Sequence, residues 1–346
     1  MNYKISVIVP FFFPKKKFYN SDDKYALSSF NKCLSSVYKS VYKKYEVILV
    51  SDDSNDESLK IANQYPFKII KLKKNFGAAY SRNKGVKIAK GEILLFLDSD
   101  VEIKKNALSI INNYNNRKNN HGVLQGVYSH KQTYKNAVTQ YLVSYHCYYL
   151  FLETQKKNYT KSFCTCFVAI KKEIFYKNKG FDNNFTKADP EDIDLGYRMT
   201  RNGYKIPLEK KLKGIHHIHL TAWSFIKRTL RIHTNEMKMY LRNKNISMKI
   251  EQSNYSPIIF GMVLIFLKIF LATVSFFYVV PNFEIILITL FLLFLVIHLN
   301  FLRFIFNSKG LIITLKTIIY IFLHRFLFII CFFKGFFDFY FLKKKY

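Results

Sequence analysis

Carboxylates are scarce in this chain: 23 Asp and Glu stand against 54 Lys and Arg, a formal net charge of +31 over 346 residues. An imbalance of that size points to a polyanion, an anionic membrane or a phosphorylated substrate. Lys, Asn, Ile, Phe and Tyr are abundant throughout, so a general compositional bias competes with a dedicated binding patch. Paired cysteines are missing too. Cys33, Cys147, Cys164, Cys166 and Cys331 show no CxxC spacing of the kind that builds a zinc site, which points to a reduced, cytosolic fold. After the first apolar run, where a dinucleotide-binding unit needs Gly-x-Gly-x-x-Gly, the chain has Pro10-Phe11-Phe12-Phe13-Pro14, and no Walker A sequence occurs. That excludes a Rossmann dehydrogenase and a P-loop NTPase. The opening run Ile5-Ser6-Val7-Ile8-Val9 is too short and too β-branched for a signal peptide and is stopped by Pro10, so export is not expected.

What is present is a βα alternation. Residues 5–9, 47–50, 67–72 and 93–97 are short apolar runs that read as buried strands. The mixed segments between them, 21–42, 54–64 and 79–90, read as helices, the last closed by Gly91 as a C-cap. Strand alternating with helix predicts a parallel sheet in an α/β fold. Residues 112–220 continue the same domain, and the basic, apolar stretch from Trp223 to Lys249 predicts a helix at a membrane surface or against the core.

Three apolar stretches follow. Residues 258–280 carry only Lys268 as a charge and would span about 34 Å as a helix, against a hydrocarbon core of ~30 Å. Residues 283–302 carry one charge, Glu284, and Pro281-Asn282 supplies the turn of a two-helix hairpin. Residues 311–333 contain Lys316, His324 and Arg325, which are expensive at mid-depth, so a re-entrant or interfacial segment is expected there. Lys244, Lys249, Arg303 and Lys309 flank the hairpin while Pro281-Asn282 carries no charge, a positive-inside pattern.

Several constellations carry chemistry. Ser51-Asp52-Asp53-Ser54-Asn55-Asp56 follows the second strand, where open α/β sheets bind ligands. A carboxylate there accepts the imide N–H of a pyrimidine or guanine ring; helix capping by Ser54 or Asn55 is the alternative. Asp98-Ser99-Asp100 ends the fourth strand, an alternating pair suited to one hard cation, Mg²⁺ or Mn²⁺, that bridges to a diphosphate. Between them, Asn75 to Gly85 offers Gly77 for close backbone approach and Arg82 as a fork for phosphate or a neighbouring carboxylate. Asp189-Pro190-Glu191-Asp192 opens a helix, with Asp189 at the N-cap and proline at the first helical position. Asp192 is either a helix-starting acid or a general base for an acceptor hydroxyl, and Asp194 and Arg198 are spaced to pair.

Taken in order, these residues resemble the family 2 glycosyltransferases. The similarity covers roughly residues 4–235 and rests on five ordered segments: 50–58, 75–85, 98–100, Gly180-Phe181-Asp182 and 191–198. The resemblance implies a GT-A nucleotide-sugar-binding domain over residues 1–235, a basic juxtamembrane linker (236–256), an anchor of two or three helices (257–335) and a basic tail (336–346). It implies donor contacts from Pro10, Asp52, Asn75, Gly77, Arg82 and Asp98, an acceptor contact from Glu191, a catalytic Asp192, and a metal held by Asp98 and Asp100. Several members complete that metal site with a histidine, which in His216-His217-Ile218-His219 is assigned to His217, with His219 second. The implied reaction is inverting transfer from a nucleotide-diphosphate sugar to a glycan or lipid-linked hydroxyl at the cytosolic face of the cell membrane, without nucleic acid as partner. The alternatives are transfer to a polyprenyl phosphate and a catalytically silent sugar- or anion-binding protein. Two departures stand out: Ser51 and Asp53 replace the Asp and Gly of the family segment, and the Gln-x-x-Arg-Trp motif of processive synthases is absent.

Overall fold

Apolar runs with no alternation need cover on both faces, and the first strand has it. In the computed structural model, which describes residues 3–15, 21–129, 131, 134–156, 159–160, 163–186, 190–242, 261–265, 267, 271, 282–344 and 346, strand β1 (Ile5–Phe11) is buried along its whole length. Two compact units are present, Met1–Tyr134 with Leu150–His219, and Lys135–Tyr149 with Leu220–Tyr346.

The first unit begins with β1, α1 (Ser21–Tyr38), β2 (Tyr45–Asp52), α2 (Asp56–Ala62), β3 (Lys68–Leu72), α3 (Ala78–Ile88) and β4 (Ile93–Leu97). β1 pairs in parallel with β2 and β4, and β2 in parallel with β3. β3 is the edge of the sheet and is only half-buried, unlike the buried strand expected of its composition. An edge strand has no neighbour on one side, so its outer residues meet water. Beyond β4 come β5 (Val101–Ile103), α4 (Ala107–Asn115), β6 (Val123–Tyr128), α5 (Ala137–Lys156, whose first part lies in the second unit), β7 (Tyr159–Thr160), β8 (Phe167–Lys171), α6 (Lys172–Lys177), α7 (Glu191–Arg201) and β9 (Ile206–His216). The sheet order is β3-β2-β1-β4-β8-β6-β9-β5, with β7 on β9. β8 runs antiparallel to β4, β6 antiparallel to β8, and β5 antiparallel to β9, so the sheet is mixed, parallel only in its first half and again where β6 meets β9.

Local signals are met with two adjustments. Asn55, not Ser54, caps α2, its side chain accepting from the Ser58 N–H at 2.8 Å, while the Ser54 hydroxyl donates to the Phe11 carbonyl. Gly91 is not a helix cap, since α3 ends at Ile88 and Ala89, in an extended conformation, is its cap residue. Its Cβ would lie 2.7 Å from the Ser6 backbone nitrogen, and its N–H donates to the Ser6 hydroxyl at 2.8 Å. Glycine is needed there for close approach to β1.

The second unit contains the first part of α5, α8 (Ala222–Arg242), α9 (Phe283–Ile297), α10 (Leu299–Lys309) and α11 (Leu311–Tyr340). The expected span at 258–280, with Lys244 and Lys249 before it, falls for most of its length outside the described residues. The stretch expected to span at 283–302 is broken: α9 and α10 meet at His298 with a bend of 62°. The stretch expected to re-enter is one continuous helix of 30 residues, long and apolar enough to cross a membrane. The reason is tertiary. His324 and Arg325, whose polarity argued against a crossing, are buried within the unit, and the Tyr141 hydroxyl lies 2.6 Å from Nδ1 of His324. Close packing of α8 on α11 is set by Gly335, where a Cβ would come within 2.7 Å of the Met237 Cβ.

Candidate active site

Four elements of the first unit deliver carboxylates or their partners to the carboxyl ends of the central strands, where open α/β sheets bind ligands. β2 ends on Asp52, buried, whose two oxygens accept the backbone N–H groups of Phe76 and Gly77, each at 2.8 Å. Gly77 sits at φ 92°, a conformation that favours glycine. Burial raises the Asp52 pKa, with the two N–H donors opposing. Asp52 therefore ties the 75–77 loop to the end of β2, with Pro10 buried on the adjacent β1 and Asn75 exposed on the loop. Asp53, standing where the family segment has glycine, adopts φ 63° and pairs with Lys15 at 2.6 Å. Asp is among the few residues that tolerate that region.

α3 carries Arg82 inward, and its guanidinium is the hub of the site. Nη1 donates to Glu191 at 2.6 Å and Nη2 to Asp98 at 2.7 Å, and Arg82 is only 4% exposed. Of the two expected partners, phosphate or a neighbouring carboxylate, the fork holds two carboxylates, while its buried Nε has no hydrogen-bond partner among the described residues. Burial would raise Asp98, but Arg82 and His216 outweigh it and hold Asp98 below the usual carboxylate range. Glu191 differs: burial pushes it up to about 8 against the pull of Arg82, with Asp192 adding to the rise. Arg82→Leu leaves these two acids without their cation, and losing one partner of a buried pair costs about 3–5 kcal/mol. A thermal melt is expected to show that loss, with Arg82→Lys recovering only part because lysine lacks the fork; an unchanged melting temperature would show that the acids do not need the arginine.

α7 begins at Glu191, one residue later than the sequence suggests, with Pro190 in the cap position; Asp189, expected to cap it, lies outside the described residues. Asp192 has both oxygens engaged, Oδ1 by the Ile193 N–H at 2.8 Å and Oδ2 by the Thr165 N–H and hydroxyl, each at 3.3 Å. Burial raises its pKa, and Arg82 opposes. Asp194 and Arg198 pair at 2.9 Å as their spacing predicts. Arg198 also donates to the carbonyls of Asn178 and Gly180, and Asn83 of α3 bonds the backbone of Phe181 from the other side. The Gly180 turn is thereby clamped between α3 and α7.

The three histidines of the 216–219 stretch meet three different carboxylates. β5 pairs antiparallel with β9, Val101 opposite His216, and side chains alternate along a strand. His216 lies 3.2 Å from Asp100, whereas His217 points the other way, 2.9 Å from Glu102, and His219 meets Asp22 at 3.3 Å. The residues able to hold a metal among those described are Asp98, Cys166 and His216, whose ligand atoms lie within 4.8 Å of one another. One oxygen, one sulfur and one nitrogen fit a divalent cation. Asp100 is outside this trio and lies 3.2 Å from His216. Sequence alone gives Thr165 no signal and Cys166 only its place in a Cys-x-Cys pair, a spacing unlike the CxxC of zinc sites. Two clefts of about 550 and 630 Å³ near Lys4 lie at the amino ends of β1 and β4 and hold none of these residues.

The profile of glycosyl transferase family 2 matches residues 17–178. The poly(ribitol-phosphate) beta-N-acetylglucosaminyltransferase of Staphylococcus aureus is 36% identical over 132 residues, covering 36% of this chain and 36% of that protein. The poly(ribitol-phosphate) beta-glucosyltransferase of Bacillus spizizenii is 39% identical over 113 residues, covering 30% of this chain and 16% of that protein. The chain therefore spans little more than a third of the length of one and a sixth of the other. Among solved structures, a mannosyltransferase from Pyrobaculum calidifontis in complex with GDP-Man and Mn²⁺ aligns over 98% of this chain and 88% of its own, with a TM-score of 0.56 and 15% identity. That likeness concerns the fold, which is GT-A-like.

Proposed function

Because residues 17–178 form a family 2 glycosyltransferase domain, we propose that the chain is an inverting transferase that moves a sugar from a nucleotide-diphosphate donor to a hydroxyl of a glycan or lipid-linked acceptor. The observation that carries this reading is the convergence of Asp98, Glu191 and Asp192 around one buried arginine at the carboxyl ends of the strands. Asp192, oriented by Thr165 and Ile193, takes the proton of the acceptor hydroxyl as its oxygen attacks the anomeric carbon from the face opposite the nucleotide. Glu191, kept beside it by Arg82, borders the acceptor. Asp98, with Cys166 and His216, would hold a divalent cation, Mn²⁺ or Mg²⁺, which when bound neutralises charge on the leaving diphosphate. Arg82 acts as a positioning residue, fixing the Asp98 and Glu191 carboxylates. Asp52 holds the 75–77 loop against which the nucleotide base would lie.

The two relatives are named for poly(ribitol-phosphate), a phosphate-bearing polymer, and a net charge of +31 suits an acceptor of that class. A screen of UDP-, dTDP- and GDP-sugars with Mn²⁺, read by nucleotide release, is expected to select one donor; no release from any, with the protein folded, overturns the reading.

The membrane is proposed as the site of action. α11 is long and apolar enough to cross it, and Ile312, Ile319, Phe333 and Phe337 are exposed along that helix, as are Ile285, Ile288, Leu292 and Val296 along α9. The catalytic unit would face the cytosol, where nucleotide sugars are made. Full-length chain is expected to stay in the pellet when membranes are washed with alkaline carbonate, and its release into the supernatant would remove the membrane from this proposal.

A further inference from the structure

The third ligand of the cation site is a thiol. An Asp-x-Asp pair alone offers only hard oxygens, the preference of Mg²⁺, which demands near-octahedral oxygen coordination. Here the atoms that come within 4.8 Å of one another are a carboxylate oxygen of Asp98, the sulfur of Cys166 and a ring nitrogen of His216. Sulfur, imidazole and carboxylate are the ligands of Zn²⁺, and three of them with a fourth position open is the usual form of a zinc site that accepts an exogenous ligand. Zn²⁺ also binds mixed N, O and S sites more tightly than Mn²⁺ does.

The trio is held by sheet structure rather than by mobile loops. Leu97 pairs with Phe167 across β4 and β8, and the Asp98 N–H donates to the Cys166 carbonyl at 3.1 Å, so carboxylate and thiol leave adjacent strand ends side by side. Val101 pairs with His216 across β5 and β9, and Tyr128 packs against the imidazole with ring centroids 5.5 Å apart. Arg82 fixes the carboxylate from behind. Cys166 is partly exposed, which gives a cation a way in. The Cys164 sulfur, two residues earlier, lies 3.0 Å from the Tyr128 hydroxyl and also hydrogen-bonds the Cys166 thiol, outside the trio itself.

We propose that Asp98, Cys166 and His216 form a thiophilic cation site that takes Zn²⁺ in preference to Mg²⁺ or Mn²⁺, so that Zn²⁺ competes for the position of the working cation and shuts transfer down. On binding, the Cys166 thiol gives its proton to solvent and the sulfur–metal bond replaces the S–H bond. The inhibitory consequence rests on the transferase reading given above, whereas the binding itself does not.

The test uses the full chain in detergent, without nucleotide or sugar, and Cd²⁺ as a spectroscopic stand-in for Zn²⁺. Titration is expected to produce a sulfur-to-metal charge-transfer band in the ultraviolet that saturates at one equivalent and is displaced by Zn²⁺ but not by excess Mg²⁺. Cys166→Ser is expected to lose the band and to weaken Zn²⁺ binding by about 100-fold, while Cys164→Ser keeps both. A variant-free arm covers the case in which Cys166→Ser misfolds: bound Zn²⁺ is expected to protect Cys166 of the wild-type chain from alkylation, read by peptide mass spectrometry, and Mg²⁺ is not. No band in the wild type, a band that survives in folded Cys166→Ser, or alkylation of Cys166 unaffected by Zn²⁺ overturns the proposal. Because none of these readouts involves transfer, a chain that binds Zn²⁺ through Cys166 yet turns over no donor sinks only the transferase reading. Transfer in Mn²⁺ that is indifferent to equimolar Zn²⁺ sinks only the inhibition.

Discussion

Asp98→Asn is expected to remove metal-dependent donor binding, lowering affinity for the nucleotide sugar in Mn²⁺ on the order of 10³-fold, the equivalent of the several kcal/mol a bound cation supplies. Asparagine is the informative replacement because its amide oxygen can still accept from Nη2 of Arg82, which in the native site lies 2.7 Å from Asp98. Alanine would also leave Arg82 short of a partner and mix a folding defect with the binding one. Calorimetric titration with and without Mn²⁺ decides it: donor affinity that is equal in the two proteins refutes the role of Asp98. Asp100→Asn is expected to do less, since Asp100 reaches the site through His216.

Asp192→Asn is expected to bind donor normally and to slow transfer by roughly 10²–10⁴-fold, the loss typical of a removed general base. The pH profile supplies a second readout. A base works deprotonated, and burial raises Asp192 above the ordinary aspartate range, so turnover should fall as pH drops through that raised value. The acid limb of kcat is therefore expected above the ~3.9 of a free aspartate, and it should vanish from the residual activity of the asparagine variant. Near-normal turnover in Asp192→Asn would reduce this residue to an acid in the first turn of α7.

Both predictions rest on motifs visible in the chain as written, because the information that sets them is local. Four apolar runs give β1 to β4, Asp98-Ser99-Asp100 marks the end of β4, and Glu191-Asp192 marks the start of α7. The Gly180 turn and the Asn83 and Arg198 side chains that clamp it also belong to recognisable segments, although their meeting does not. Local sequence is informative here because strand ends and helix starts obey short-range rules of polarity, period and capping.

Other features depended on partners far away in the chain. Four neighbouring positions, His216 to His219, offer three imidazoles, and strand alternation says only that His216 and His217 face opposite ways; the pairing of β5 with β9 brings His216 to Asp100. Cys166 reached the site through the pairing of β4 with β8, and Arg82 found its acids 16 and 109 positions along the chain. His324 and Arg325 read as costly in a membrane until Tyr141, 183 residues earlier, came to lie against His324. The sequence by itself determined an α/β domain, its carboxylates and its apolar C-terminal segments. Tertiary structure alone decided which imidazole and which thiol come together beside Asp98, and whether a polar residue in an apolar helix is buried against protein. The physical reason is that polarity and period are properties of a segment, whereas the register of a strand and the burial of a charge are properties of its neighbours.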